Sequence, residues 1–153
     1  EGLYLAVLEE SYRRMREIEG QLKLDDLEPE AALRRLVEFT FDHHASDEPY
    51  IRMVMSENIN RGQFLARSKS IQALNLKAIS AIEKLYTRGV EQRIFRPGLD
   101  PVDLHASISA LSFFNVSNQH TFGLIFKRDF SPPATAALRR ASIVEMVVRF
   151  LRS

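Results

Sequence analysis

The sequence contains no cysteine. Its absence excludes disulfide frameworks, thiolate zinc sites and cysteine nucleophiles, and it fits a reducing compartment. An excess of charge of one sign is also missing, because 21 lysines and arginines stand against 20 aspartates and glutamates. A net charge of +1 gives no indication of a nucleic-acid surface. The chain shows no signal or transit sequence and begins at Glu1, so we expect a cytoplasmic fragment whose amino-terminal side is missing.

A membrane-spanning segment is excluded on composition. Residues 104–126 form a run of 23 without Asp, Glu, Lys or Arg, which is long enough to cross a bilayer. Ten of these residues are His, Ser, Asn, Gln or Thr, and lipid would leave that many polar groups without partners. A helix without charge on any side must still be covered, so we expect this segment inside the protein or against a partner.

What the sequence does contain is the pattern of one all-α domain. A chain of 153 residues with 45% hydrophobic and 27% charged residues has the composition of a single globular domain. Asp100-Pro101 and Ser131-Pro132 are typical helix starts, and no segment alternates with period two as a strand does. Gly89 is a predicted weak point of one long helix. Apolar residues at helical spacing predict six helices, over residues 2–19, 29–45, 48–60, 64–95, 101–126 and 132–152.

The start of the chain and the order of these helices resemble a known family. The stretch from Glu1 to Glu9, EGLYLAVLE, is similar to the junction that follows the helix-turn-helix in tetracycline-repressor (TetR) family regulators. The resemblance covers essentially the whole chain and implies a six-helix C-terminal regulatory domain, which starts in the connector helix. It implies a homodimer that binds a small-molecule effector and contacts DNA only through the missing amino-terminal domain.

By this resemblance the protein is expected to be a transcriptional regulator, most often a repressor. The effector would enter between the second to fifth helices and tilt the first. That motion would change the spacing of two DNA-reading heads across neighbouring half-sites.

Three amides on the fifth helix are candidates for the effector site. They interrupt an apolar stripe, and a buried amide without a partner costs about 1–3 kcal/mol, so each needs a protein or ligand partner. Bonding to neighbouring helices or water is the alternative. Together with polar and flexible residues of the second and third helices, they make up the predicted site: Thr40, His44, Met53, Glu57, Asn115, Asn118 and Gln119.

The last two predicted helices each have two apolar faces. Since no further part of the chain remains to cover the second face, we expect a four-helix seam between two subunits. A larger intrachain core is the alternative. The predicted interface residues are Ala106, Ala110, Phe113, Ser117, His120, Leu124, Ala137, Ala141, Val144 and Leu151.

Other function classes have little support in the sequence. His43, His44, His105 and His120 lack the spacing of metal-binding motifs, so we expect no metal. No nucleophile–base arrangement, phosphate-binding loop or pair of catalytic acids is present, so we expect neither an enzyme nor a cofactor. The remaining alternatives are a helical enzyme or cofactor-binding bundle, and a helical bundle that only binds other proteins.

Overall fold

The computed structural model describes residues 2–152, so Glu1, where the junction motif begins, and Ser153 lie outside the described residues. Two short 3-10 turns, Leu24–Asp26 and Leu65–Arg67, join some of the helices. Residues 2–152 contain no strand, only an isolated bridge between Phe95 and Arg152, and the predicted all-α class is confirmed. The helices are α1 (Gly2–Gly20), α2 (Pro29–Ser46), α3 (Glu48–Ile59), α4 (Lys69–Glu91), α5 (Pro101–Ser117), α6 (Gln119–Phe126) and α7 (Pro133–Leu151).

Side-chain caps set several of these helix starts. The Asp100 carboxylate accepts the backbone N–H groups of Val102 and Asp103, which confirms the predicted start at Pro101. Ser68 accepts the N–H of Ile71 and so begins α4 at Lys69, five residues later than predicted. These side chains satisfy N–H groups that have no partner inside the helix.

The predicted fifth helix is in fact two helices. α5 ends at Ser117 and α6 begins at Gln119, because Asn118 adopts φ −111° and ψ 6° at the junction. Its side chain donates a hydrogen bond to Ser117 Oγ at 2.7 Å, the local bonding that disfavours asparagine inside helices. The single helix predicted for residues 101–126 is therefore wrong at this point. No helix within residues 2–152 is long and apolar enough to span a membrane.

The main core is built around α2. Apolar side chains of α2 such as Leu33 and Val37 are completely or almost completely buried, together with side chains of α4, α5 and α7. A second, smaller cluster around Met15, Tyr50 and Ile51 packs α1 against α3. α1 contributes only two fully buried side chains, Leu8 and Met15, and otherwise packs along α4.

Gly89 allows the chain to turn back tightly after α4. The helix continues through Gly89 to Glu91, so this glycine does not interrupt it. The backbone carbonyl of Gly89 accepts the N–H groups of Ile94 and Phe95, and the buried Phe95 ring packs onto its Cα. A Cβ atom at residue 89 would lie inside the Phe95 ring. The close approach of the Phe95 ring to the backbone, rather than the conformational freedom of glycine, explains why residue 89 is glycine.

We predict that Gly89→Ala lowers the free energy of unfolding by about 1–3 kcal/mol, the usual cost of overpacking, despite the better helix propensity of alanine. Urea unfolding followed by circular dichroism measures the change. Gly20→Ala is the matched control, since a Cβ there meets no atom within 4 Å. The double variant Gly89→Ala/Phe95→Leu should recover part of the loss. An unchanged stability of Gly89→Ala would contradict this account of the turn.

Candidate functional site

A cavity of about 340 Å³ lies between α1 and α4, with α2 behind it. Apolar side chains form most of its wall: Leu36 of α2 and Leu74, Ala78 and Ile82 of α4. Arg16 and Glu19 of α1 supply charged groups at one side. Its size and its mainly apolar lining with a few polar groups are those of small-molecule sites.

Arg16 joins this cavity to the packing of α1 on α4. Its side chain is only 9% exposed and pairs with Glu19 Oε2 at 2.5 Å. Its Nη2 donates to Asn75 Oδ1 of α4 at 2.8 Å, while its buried Nε has no partner among the described residues. About two turns earlier, Glu9 accepts hydrogen bonds from Ser68 and Ser70 at 2.5 and 2.9 Å. Polar contacts therefore hold α1 to α4 on the amino-terminal side of the cavity.

A second cavity of about 530 Å³ continues the first one towards solvent. Both are lined by Glu19, Lys77 and Ala81, so they share a boundary. The outer cavity is polar, with Lys23 and Lys84 among its lining residues. The inner apolar cavity is thus bordered by a charged one between the end of α1 and the middle of α4.

A cluster of histidines and aromatic rings lies close to Arg16 on the other side. The buried His44 ring stacks on Tyr50 at 6.4 Å between centroids and contacts Phe113 edge-on at 5.8 Å. Burial, together with charge repulsion from the neighbouring His43, His105 and Arg16, lowers the pKa of His44 to about 4. The pKa values of His43 and His105 are also lowered, chiefly by burial. These histidines are neutral at pH 7, and residues 2–152 hold no group of side chains suited to a metal ion.

The predicted amide site is only partly assembled. Asn115 is buried, donates to the carbonyls of Leu111 and Ser112 at 2.6 and 3.2 Å, and accepts Arg139 Nε at 2.9 Å. Asn115 and Gln119 line a separate cleft of about 190 Å³ beside the end of α2. The Asn118 side chain instead donates its hydrogen bond to Ser117 at the junction of α5 and α6. The contacts of Asn115 match the alternative reading, in which an amide is satisfied by its own protein.

The other predicted site residues lie in three further places. Thr40 is buried and donates to the carbonyl of Leu36 at 2.8 Å, and His44 belongs to the aromatic cluster. Glu57 is buried near α1, where one carboxylate oxygen accepts the N–H of Leu65 at 3.0 Å and the other has no hydrogen-bond partner among the described residues. The Met53 carbonyl accepts the Tyr4 hydroxyl at 3.5 Å. The predicted set therefore does not converge, and none of its members lines the α1–α4 cavity.

Sequence reasoning missed Arg16 and the apolar cavity wall. Leu74, Ala78 and Ile82 follow helical spacing in the sequence, but nothing in that spacing separates a core residue from a cavity wall. Arg16 sits among several charged residues of α1 that pair with each other on the surface. No sequence signal marks it as the buried one.

Two predicted interface residues belong to the core of the chain itself. Val144 and Leu151 are 5% and 0% exposed within the single chain, so they have no surface left for a partner. This corrects the predicted face of the last helix. Phe113 packs against the small cluster around Tyr50, and Ser117 and His120 line a cleft beside α3. Ala106, Ala110, Ala137, Ala141 and Leu124 are exposed.

An exposed apolar surface does occur on α5 and α7, at neighbouring positions. The large apolar side chains of this surface are separated by multiples of four residues along each helix, and this spacing is visible in the sequence. A groove of about 370 Å³ between the two helices is lined by Ala110, Met146 and Phe150, among others. The large side chains of this surface, which we call the α5–α7 face, are Val102, Phe114, Leu138, Met146 and Phe150, all between 42% and 71% exposed.

We predict that the histidine cluster makes stability depend on pH. A pKa of about 4 for His44 in the folded chain, against an ordinary 6.5, means that the unfolded chain binds protons more readily. Stability is complete above pH 6.5 and falls as the pH drops towards 4, by about 2 kcal/mol between pH 7 and 5 from His44 alone. His43 and His105 act in the same direction.

Urea unfolding at pH 7 and pH 5 measures this effect. His44→Leu should flatten the pH dependence, whereas His120→Gln, an exposed histidine on α6, should leave it as it is. Equal pH dependence in the wild type and His44→Leu would contradict the assignment to His44.

Comparison with known proteins agrees with this architecture. The family model described as "Tetracyclin repressor-like, C-terminal domain" matches residues 29–147. The chain is also 28% identical over 152 residues to the HTH-type transcriptional repressor NicS of Pseudomonas putida, covering 99% of the chain and 72% of that relative. The chain thus belongs to the tetracyclin repressor-like C-terminal domain family, the ligand-sensing regulatory domains of TetR-type transcription regulators.

Proposed function

We propose that this domain senses a small-molecule effector in the cavity between α1 and α4 and acts, as a homodimer, in a transcriptional repressor. The observation that carries the proposal is the position of the cavity, which lies against the helix that corresponds to the family's connector to the DNA-reading head. The similarity to a relative named as a transcriptional repressor supports repression, rather than activation, as the regulatory role. DNA would be contacted only through the amino-terminal domain of such a regulator.

The contacts of α1 support a coupling between the cavity and the connector. α1 buries few side chains and is held to α4 by polar contacts at Glu9 and Arg16. An effector that binds more tightly to one position of α1 than to another shifts the balance between them. Because Arg16 both lines the cavity and bonds to Asn75, an occupant of the cavity competes directly with a contact that holds α1.

The α5–α7 face supports the homodimer. Regulators of this family act as dimers, and this face exposes large apolar side chains on two adjacent helices. Pairing it with the same face of a second chain gives a four-helix arrangement around a two-fold axis. The small residues Ala106 and Ala110 lie between Val102 and Phe114 on α5 and allow close approach of the helices.

We predict that an uncharged fluorescent probe, N-phenyl-1-naphthylamine, binds the α1–α4 cavity and brightens. Ala81→Phe places a ring at the boundary of the inner and outer cavities and should weaken binding about tenfold, equivalent to ~1.4 kcal/mol. Ala45→Phe is the matched control, since Ala45 lines the cleft of Asn115 and Gln119. Fluorescence titration measures both variants.

Weaker binding of the probe to Ala45→Phe, with unchanged binding to Ala81→Phe, would place the site in the Asn115–Gln119 cleft instead. Unaltered binding in both variants would reject both places.

We predict that the chain sediments at twice 17.6 kDa and that Met146→Glu converts it to a monomer, because a charge in the middle of an apolar seam loses its hydration. Leu76→Glu is the control, an equally drastic change at an exposed apolar position of α4. Analytical ultracentrifugation at micromolar concentration distinguishes the two masses. A wild-type monomer, or a dimer that survives Met146→Glu, would contradict the proposed seam.

A further inference from the structure

We propose that the ligand of the α1–α4 cavity is a small monoanion with an aliphatic body, and that Arg16 and Lys77 bind its acidic group. This inference rests on the proposed function, since it names the chemical class of the effector for the same site. It uses three observations: the apolar wall, the distribution of charge around it and the unpartnered nitrogen of Arg16.

The cavity wall selects the body of the ligand. Its apolar side chains are leucine, isoleucine and alanine, and within the described residues no aromatic ring lines it. No ring of the described residues is present for stacking, so any occupant is held by hydrophobic burial and an aromatic ligand has no advantage over an aliphatic one. A volume of about 340 Å³ accommodates a short hydrocarbon chain, and its burial against this wall supplies hydrophobic stabilisation.

The charges around the cavity select an anion. Five charged residues line it: Arg13, Arg16, Lys77, Glu17 and Glu19. Both acids are already engaged, Glu17 with Arg13 and Glu19 with Arg16. Lys77 has no ion-pair partner within residues 2–152, and the five lining residues together carry a net charge of +1. Arg13 also pairs with Glu10, which lies outside the lining, so Lys77 and Arg16 are the cations that remain for a ligand. A cationic ligand would find no free carboxylate here.

Arg16 provides the directional part of the site. Its Nε–H is buried and has no acceptor within residues 2–152, and a buried donor without an acceptor is unfavourable. Nε and Nη2 form one edge of the guanidinium group, and a carboxylate binds such an edge with two parallel hydrogen bonds. Because Nη2 now donates to Asn75, binding of the carboxylate would weaken the contact between α1 and α4. The acid group of the ligand would thereby act on the connector helix.

Three probes of equal chain length test the charge of the ligand: octanoate, 1-octanol and octylamine. Each is titrated against the chain carrying bound N-phenyl-1-naphthylamine, and displacement of the dye gives the affinity. Octanoate should bind at least about tenfold more tightly than octanol, since hydrogen bonds to charged groups are the stronger ones, and octylamine should bind most weakly.

Two variants test the residues. Lys77→Gln should reduce the preference for octanoate over octanol, and its matched control is Lys84→Gln, an exposed lysine two turns further along α4 that lines only the outer cavity. Arg16→Lys retains the positive charge but cannot donate two parallel hydrogen bonds to a carboxylate, so it should also reduce the preference for octanoate over octanol. A normal circular dichroism spectrum for each variant shows that the fold is intact.

The outcomes separate this inference from the proposed function. Equal displacement by all three probes, or a preference for octylamine, would overturn the anionic class while dye binding sensitive to Ala81→Phe still supports the site. A preference for octanoate that survives both Lys77→Gln and Arg16→Lys would overturn the assignment of these residues. Dye binding that is insensitive to Ala81→Phe would instead reject the cavity as the effector site.

Discussion

The burial of α2 is the constraint on which the rest of the structure depends. Its apolar side chains pack against α4, α5 and α7 within one core, so these helices have fixed positions around it. α1 lies outside this arrangement and covers only part of the remaining side. The gap left between α1 and α4 reaches inward as far as Leu36 of α2, and this gap is the cavity. The candidate effector site is thus a consequence of how the core is filled.

The attachment of α1 differs in kind from that of the other helices. Hydrogen bonds from Ser68 and Ser70 to Glu9, and from Arg16 to Asn75, join α1 to α4, and α1 buries only two side chains completely. Polar contacts of this kind can be exchanged for contacts with a ligand at little net cost. Elements that move in regulation are drawn from such weakly buried parts of a structure. A connector helix held in this way is suited to respond to an occupant beside it.

The sequence predicted the helices well where local chemistry decides them. Asp100 caps α5 as expected, and the stripe of Leu33, Leu36 and Val37 is buried as its spacing indicates. Prediction was wrong at Asn118, because asparagine occurs both inside helices and at their ends, and the apolar periodicity did not separate the two. It was also wrong for Val144 and Leu151, since the chain itself buries residues of both apolar sides of α7 and leaves Met146 and Phe150 exposed.

The sequence by itself determined the all-α class, most helix limits and the family, because capping, periodicity and the junction motif are local properties of the chain. Tertiary structure alone decided which polar side chains meet. His44, Glu57 and Asn115 are all buried, yet they lie in separate places. Arg16 lines the cavity beside residues of α4 and bonds to Asn75, which is 59 residues away in sequence. Burial can be inferred from helical spacing. Convergence cannot, because it depends on the angles and distances at which the helices pack.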